Sequence, residues 1–335
     1  MMHFTARIPA RAFGFESDHT VLGFKPTQKT PAAARLISPD DAHLFDPEFF
    51  EEFRLWWEWD DTRSPLYISG PSGCGKTSTV LQFLARVRAP VVTITCRRRT
   101  EKNDLIGQWG MSASGSFAWF DGPAAIAWRH GCVLVINEFS LAPAEVWVAL
   151  NDLFEGDSLF IERKRELIAR HPNARVIVTD NCRCGGAGMD SQYLARHLQD
   201  TSTIERFWHI EARWPEREAE KKLLMRKTRK AASGLSAREH EAIVEAMLQF
   251  AAITRQSEDD PSKKNPDLRA ISPRVLIRFA EILLTLVSQH APVPDPVQTA
   301  LAVAFANGCT PSESYALQQL AHFELAGLLS PCKPS

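Results

Sequence analysis

The chain has 335 residues, of which 44% are hydrophobic and 24% are charged, which is ordinary usage for a globular protein and excludes general disorder. The 39 Lys and Arg residues nearly balance the 40 Asp and Glu residues, so the surface as a whole is not built to bind nucleic acid or an anionic membrane. No apolar run reaches the roughly 18 to 20 residues of a membrane span, and residues 1–15 lack the apolar core of a signal peptide. The seven cysteines are irregularly spaced, as reduced thiols are, rather than arranged for disulfides. We therefore expect a cytoplasmic protein.

Three segments with different patterns follow one another along the chain. Residues 1–48 carry scattered Pro, Gly and Asp and predict an irregular N-terminal arm. Residues 49–214 begin with a predicted helix over 49–59 and then alternate apolar runs with helical stretches, as an α/β domain with a parallel sheet does. The predicted strands are residues 66–69, 91–95, 132–136, 175–179 and 208–212. Their unbroken apolar character is typical of strands covered on both faces.

The third segment, residues 215–335, has no strand-like run and predicts a small all-helical domain, interrupted by a polar loop over 257–267. Ser272 and Pro273 are suited to the N-cap and the first turn of a helix. Behind them, apolar residues recur on one helical face: Val275, Leu276, Phe279, Ile282, Leu283 and Leu286.

The strongest local pattern is a glycine-rich loop after the first predicted strand. It fills G-x-x-x-x-G-K-[ST] and is followed by a helix-forming run, 78–87, which is the context of a phosphate-binding loop. Glycines let backbone N–H groups converge on phosphate oxygens beside the positive end of a helix. Lys76 is expected to bridge the β- and γ-phosphates of ATP, and the Thr77 hydroxyl to bind Mg²⁺. The predicted nucleotide-binding residues are Gly70, Pro71, Ser72, Gly73, Cys74, Gly75, Lys76, Thr77 and Ser78.

A second pattern supports the first. The predicted strand 132–136 ends in Asn137 and Glu138, where phosphate-loop ATPases place one acidic residue for the metal and often another for the attacking water. Glu138 suits the second role. Asn137 takes the metal position with an uncharged amide, which weakens its contact to hydrated Mg²⁺ relative to a carboxylate.

With these residues the chain resembles the MoxR-like AAA+ ATPases, and within them the CobS type, the small ATPase subunit of the aerobic cobalt chelatase. The resemblance implies an AAA+ P-loop NTPase fold, with residues 215–335 as a helical lid. Beyond the two patterns above, it covers residues 13–18, 24–45, 104–107, 120–123, 131, 142–146, 153–155, 171–181, 205–207 and 272–274.

The resemblance also implies roles for three more residues. Asn181, which ends the sensor-1 strand, is expected near the γ-phosphate and the attacking water. Arg206 is expected to act as a finger on the ATP of the neighbouring subunit, and Arg274, in sensor 2, to reach the phosphates from the lid. Fixed cations stabilise the charge that spreads over the γ-phosphate oxygens in the transition state. Together with Lys76 and Glu138, these are the candidate catalytic residues.

For the whole protein, the resemblance implies a Mg²⁺-ATP-dependent ring, expected to be a hexamer, that remodels or powers a partner with a von Willebrand A-type domain. Two residues depart from the family pattern: Asn137 replaces the usual aspartate, and Asp180 precedes the sensor asparagine in place of a small residue. Both bear on the rate of hydrolysis more than on nucleotide binding. Asp180 is a candidate to supply the missing carboxylate to the metal.

Two other interpretations stay open. The chain could be an assembly factor that binds ATP and oligomerises but hardly hydrolyses it. It could also be a DNA-acting motor that uses the basic run with Lys227, Arg229 and Lys230, although the sequence has no recognition helix or zinc module. Cys182 and Cys184 lack the paired spacing that a zinc site requires.

Overall fold

The computed structural model describes residues 6–25, 34–59, 64–181, 196–259 and 268–325. The chain divides into two compact units, Met1–Pro71 with Lys76–Arg213 and Ser72–Gly75 with Trp214–Ser335. The strands, all in the first unit, are β1 (Ala6–Pro9), β2 (Thr20–Gly23), β3 (Leu66–Ser69), β4 (Val91–Thr95), β5 (Gly107–Met111), β6 (Phe117–Asp121), β7 (Val133–Asn137), β8 (Leu159–Ile161), β9 (Glu166–Ile168), β10 (Arg175–Thr179) and β11 (Trp208–Glu211). The helices of the first unit are α1 (Pro47–Glu58), α2 (Lys76–Arg86), α3 (Lys102–Ile106), α4 (Pro123–His130), α5 (Ala144–Val148), α6 (Asn151–Glu155) and α7 (Thr201–Ile204).

The centre of the first unit is a five-stranded parallel sheet in the order β11-β3-β10-β7-β4. All five predicted strands are confirmed, and their bounds agree within one residue. The strands are parallel because helical segments cross between them, and these helices also cover the faces of the sheet. In register, Thr179 of β10 pairs with Asn137 of β7 and with Ile68 of β3. The polar residues that follow these strands therefore meet at one edge.

Aromatic side chains fill the core beneath this edge. Tyr67 of β3 contacts Phe139 and Phe207 edge-on, and the ring of Phe139 stacks on Trp147 at 4.2 Å. All four rings are buried. Large buried rings contribute much of the apolar area removed from water, so they hold the strand ends and the turn after β7 in place.

The N-terminal arm is more ordered than the sequence predicts, because β1 and β2 form an antiparallel pair within it. Phe13, next to β1, packs against Phe50 of α1 and Phe83 of α2. The predicted helix over 49–59 is confirmed as α1. Two further antiparallel pairs, β5–β6 and β8–β9, are also absent from the sequence prediction.

Within its described residues the second unit contains helices and no strand, as predicted. Its helices are α8 (Arg217–Thr228), α9 (Ala237–Asp259), α10 (Pro273–Ser288), α11 (Pro296–Ala304) and α12 (Pro311–Leu325). The predicted apolar face of α10 lies in the core of this unit. The predicted polar loop begins later than expected, since α9 continues to Asp259, and residues 260–267 lie outside the description.

A buried ion pair fixes the start of α10. Arg255 donates to both carboxylate oxygens of Glu220, at 2.7 and 2.9 Å, and its Nε donates to the carbonyl of Ile271. Ser272 then caps the helix by accepting from the amide of Val275. Among the described helices, none is long and apolar enough to cross a membrane.

Candidate functional site

The glycine-rich loop joins β3 to α2, as predicted. Gly70, Gly73 and Gly75 have φ values of 148°, 77° and 98°, a region that side chains with a Cβ rarely adopt. At Gly70 a Cβ would also lie 2.1 Å from the carbonyl oxygen of Ala212. The loop therefore requires glycine here for its conformation and for the close approach of two chain segments.

Lys76 is the first residue of α2 and is buried. Its Nζ donates to the carbonyl oxygens of Gly70 and Pro71, both at 2.8 Å. The ammonium group thus lies over the loop, beside the positive end of the helix dipole. Of the other predicted loop residues, Cys74 is half-buried, and Ser72 and Ser78 are exposed.

Three polar side chains from three elements meet next to the loop. Thr77 of α2 and Thr179 of β10 each donate a hydroxyl hydrogen to Oδ1 of Asn137, both at 3.0 Å. The two hydroxyl oxygens are 3.3 Å apart. The cluster arises because β7 and β10 end side by side and α2 begins above them.

This cluster fits a magnesium ion only in part. Its hydroxyl and amide oxygens are the hard ligands that Mg²⁺ prefers, but it contains no carboxylate. In the described ranges there is no group of three His, Cys, Asp or Glu side chains that could hold a metal. Mg²⁺ commonly binds through few protein ligands, with waters and substrate phosphates completing its shell. Thr77 and Asn137 can serve an ion bound in that way.

Glu138 follows β7 in the left-handed conformation, with φ 58°, which is uncommon for a residue other than glycine and occurs often at functional sites. Its carboxylate receives Nδ2 of Asn181 at 3.4 and 3.5 Å. It also forms an ion pair with Arg196, and the Glu138 side chain stays 35% exposed. The structure thus brings Asn181 and Glu138 together.

Asp180 does not fit the role of metal ligand that the sequence suggested. It is 1% exposed, and its oxygens accept from the Tyr67 hydroxyl at 3.0 Å and from the amides of Ser140 and Asn181 at 2.7 Å. Arg196 donates to it as well. A carboxylate engaged in this way holds the strand ends together.

No sequence pattern identifies Arg196 as part of the site. It bridges Asp180 and Glu138, but it belongs to no recognised motif. An unexpected buried aspartate could have indicated that a cation must lie near it, since buried charges are paired. The spacing along the chain could not indicate which arginine supplies it.

The two arginines that are predicted to reach phosphates, Arg206 and Arg274, differ in their contacts. Arg206 follows α7, and its Nε and Nη2 donate to Oε1 of Glu155 at 2.9 and 2.7 Å, with a further bond to the carbonyl of Ser202. Arg274 belongs to the second unit and is exposed in the first turn of α10. Cys182 and Cys184 lie outside the described residues.

Two thiols next to core strands are shielded from reaction. Cys96 follows β4 and is 1% exposed, and Cys132 precedes β7 and is fully buried. Burial, assisted at Cys96 by the negative charge of Asp180, raises the pKa of Cys96 to about 12 and that of Cys132 to about 11. Neither thiol is therefore ionised at neutral pH, and both act as small core residues.

Comparison with known proteins shows what this part of the chain is similar to. Residues 65–197 match the AAA domain of the dynein-related subfamily. Protein CbbQ of Hydrogenophilus thermoluteolus is 25% identical over 224 residues, which are 67% of this chain and 75% of that protein. The denitrification regulatory protein NirQ of Stutzerimonas stutzeri is 32% identical over 142 residues, covering 42% and 51% of the two chains. Protein NorQ of Paracoccus denitrificans (strain Pd 1222) is 30% identical over 165 residues, covering 49% and 58%.

The chain thus spans three quarters of the first of these relatives and a little over half of the other two. The range that matches the AAA domain begins just before β3 and ends just after Arg196. It includes the loop, Asn137, Glu138 and Asn181, and it ends before Arg206 and Arg274.

Proposed function

This chain is a MoxR-like AAA+ ATPase, and on that premise we propose that it works as a ring of identical subunits that uses Mg²⁺-ATP to remodel or power a protein partner. The AAA+ P-loop fold expected from the sequence, with its parallel sheet and helical second part, is confirmed. The observation that carries the proposal is the hydrogen bond from Thr77 to Asn137 at the strand end beside the phosphate loop, with Glu138 directly after Asn137.

In this proposal the loop holds the triphosphate. Its glycine conformations allow backbone N–H groups to converge, and the N-terminus of α2 adds a positive potential. The Nζ of Lys76 exchanges the carbonyl oxygens of Gly70 and Pro71 for phosphate oxygens. Because the bond from an ammonium group to a charged phosphate oxygen is stronger than its bond to a neutral carbonyl oxygen, this exchange favours the anion.

A magnesium ion bound with ATP would supply positive charge against the phosphates. Thr77 and Asn137 are the residues that we assign to it. The Asn137 oxygen already accepts from Thr77 and Thr179, so the side chain is held in one orientation without help from the ion. An amide lacks the charge of a carboxylate, and we therefore expect a high Mg²⁺ requirement.

We assign Glu138 to the attacking water and Asn181 to its orientation. The carboxylate is partly exposed and lies at the strand end, where a water can reach it. A general base in this position accepts the hydrogen of the water as it attacks the γ-phosphate. Asn181 approaches the same carboxylate and can restrict where that water lies.

We assign Arg206 to the ATP of the neighbouring subunit and Arg274, in the helical lid formed by residues 215–335, to the ATP of its own. One observation supports the first assignment: the Arg206 side chain is 27% exposed and so can be reached by a neighbouring subunit. Its ion pair with Glu155 has to be exchanged for a phosphate when it acts. An arginine supplied by a neighbour makes hydrolysis depend on assembly and accelerates it by about a thousandfold or more. The hexameric state and the partner with a von Willebrand A-type domain rest on the family resemblance.

A subunit-mixing experiment tests the proposal. We expect Lys76→Ala to lose nucleotide binding, and Arg206→Ala to bind ATP but hydrolyse it about a thousandfold more slowly. A mixture of the two should regain hydrolysis, because an intact loop in one subunit then faces an intact finger in the next. Arg163→Ala, at an exposed arginine, is the matched control.

Three measurements accompany the mixing: ATP hydrolysis, nucleotide binding and mass in solution with and without ATP. If mixed rings form and bind ATP but do not hydrolyse it, the proposed role of Arg206 on the neighbouring subunit's ATP is contradicted. A parent that binds ATP and assembles with no turnover above background would favour the alternative of an ATP-gated assembly factor, which the uncharged Asn137 makes worth testing.

A further inference from the structure

Arg196 joins the two acidic residues at the ends of β7 and β10. Its side chain is 5% exposed. One terminal nitrogen, Nη1, donates to Oδ1 of Asp180 and to Oγ of Ser140, the latter at 2.8 Å. The other, Nη2, donates to Oε2 of Glu138. A single planar guanidinium thus spans both carboxylates, which a lysine ammonium cannot do with the same geometry.

The guanidinium is anchored from the side away from Glu138. Asp180, its buried partner, is itself held by the Tyr67 hydroxyl and by the amide of Ser140. The chain that carries Arg196 is also fixed, because the amide of His197 donates to the carbonyl of Ser140 at 2.8 Å. Because the Arg196 guanidinium is buried and held by Asp180, and its backbone is held next to it, it cannot follow the motion of the partly exposed Glu138 side chain. Glu138 must therefore adapt to Arg196.

The two oxygens of Glu138 differ as a result. Oε2 accepts the charged bond from Arg196. Within the described ranges, Oε1 receives only Nδ2 of Asn181, at the long distance of 3.5 Å, and the side chain is partly exposed. A carboxylate oxygen has room for two hydrogen bonds. Arg196 thus fixes the direction of the carboxylate while leaving Oε1 for a water.

We propose that Arg196 is a positioning residue for ATP hydrolysis: anchored on buried Asp180, it orients the Glu138 carboxylate so that Oε1 accepts from the attacking water. This inference rests on the role proposed above for Glu138. Without the guanidinium, the glutamate side chain samples several rotamers, and the fraction of time in the reactive geometry falls. Nucleotide binding does not use this contact and stays as it is.

The test is Arg196→Lys, which keeps a cation for Asp180 but cannot span both carboxylates. Arg196→Met also removes the charge and is measured beside it, with thermal unfolding of both as the check on folding. We expect kcat to fall by about tenfold to a hundredfold, the scale of a misplaced catalytic group, while the Kd for ATP stays within about twofold. The matched control is Arg129→Lys, because Arg129 also bridges two carboxylates, those of Asp121 and Glu166, away from the site. We expect it to keep the parent kcat.

A double-mutant cycle with Glu138→Gln separates positioning from a general structural effect. If Arg196 acts through Glu138, then Arg196→Lys changes kcat much less in the Glu138→Gln background than in the parent. An equal loss in both backgrounds overturns the inference, and so does a parent-like or raised kcat for a folded Arg196→Lys. If Glu138→Gln alone keeps the parent kcat, the proposed role of Glu138 is refuted, and the inference with it. If Glu138→Gln lowers kcat but Arg196→Lys does not, only the role of Arg196 is refuted.

Discussion

Replacing Asp180 with alanine distinguishes a residue that holds the strand ends from a ligand of the metal. The change removes the acceptor of the Tyr67 hydroxyl and of the Ser140 and Asn181 amides, and it leaves the nearly buried guanidinium of Arg196 without its buried partner. Removing one member of a buried ion pair costs about 3 to 5 kcal/mol, because the remaining charge stays desolvated. In a domain of roughly 200 residues, that loss lowers Tm by about 10 °C.

The assay is thermal unfolding of the parent and of Asp180→Ala without nucleotide, with ATP hydrolysis measured in parallel. Asp152→Ala, at an exposed aspartate of α6, is the control and should stay within about 0.5 kcal/mol of the parent. A metal ligand contributes little to a protein without its metal, so the two roles give opposite results. An unchanged Tm together with the loss of Mg²⁺-dependent hydrolysis would refute our reasoning and return Asp180 to the metal site.

Two more predictions concern the metal position and the helical unit. Asn137→Asp should lower the Mg²⁺ concentration for half-maximal hydrolysis by about tenfold. The carboxylate can accept the same hydrogen bonds from Thr77 and Thr179, and its charge adds an attraction to Mg²⁺ of about 2 kcal/mol across one water layer. Titration of Mg²⁺ at fixed ATP measures this, and an unchanged Mg²⁺ requirement would contradict it. Burial lowers the pKa of His240 in the folded protein. As the pH falls, His240 therefore becomes protonated in the unfolded chain before it does so in the folded one, and stability is lost below about pH 6.5. His240→Gln should flatten the decline of Tm between about pH 7.5 and 5.5, and an identical slope would show that other groups cause it.

Much of the fold follows from short stretches of sequence. The five core strands are unbroken apolar runs, and the loop after β3 has its glycines where φ is positive. Ser272 and Pro273 predict the start of α10, and the structure has that cap. Each of these features depends on neighbours within a few residues, so a local pattern is enough to predict it.

The pairs β1–β2, β5–β6 and β8–β9 were not predicted. Their strands have three to five residues each, like the core strands, but several of their residues are exposed, so they lack the apolar signal of the core strands. Short antiparallel pairs depend on packing against the rest of the domain. Their sequences alone therefore do not distinguish them from loops.

The sequence by itself determined that this protein binds nucleotide, because the phosphate loop and the residues after β7 are contiguous patterns whose chemistry needs little else. Only the tertiary structure decided what Asp180 does, since its partner Tyr67 is 113 residues away along the chain. The pairing of Arg196 with both carboxylates was likewise decided by the fold. A buried charge must find a partner, but the tertiary fold, rather than any spacing along the chain, sets which side chain is within reach.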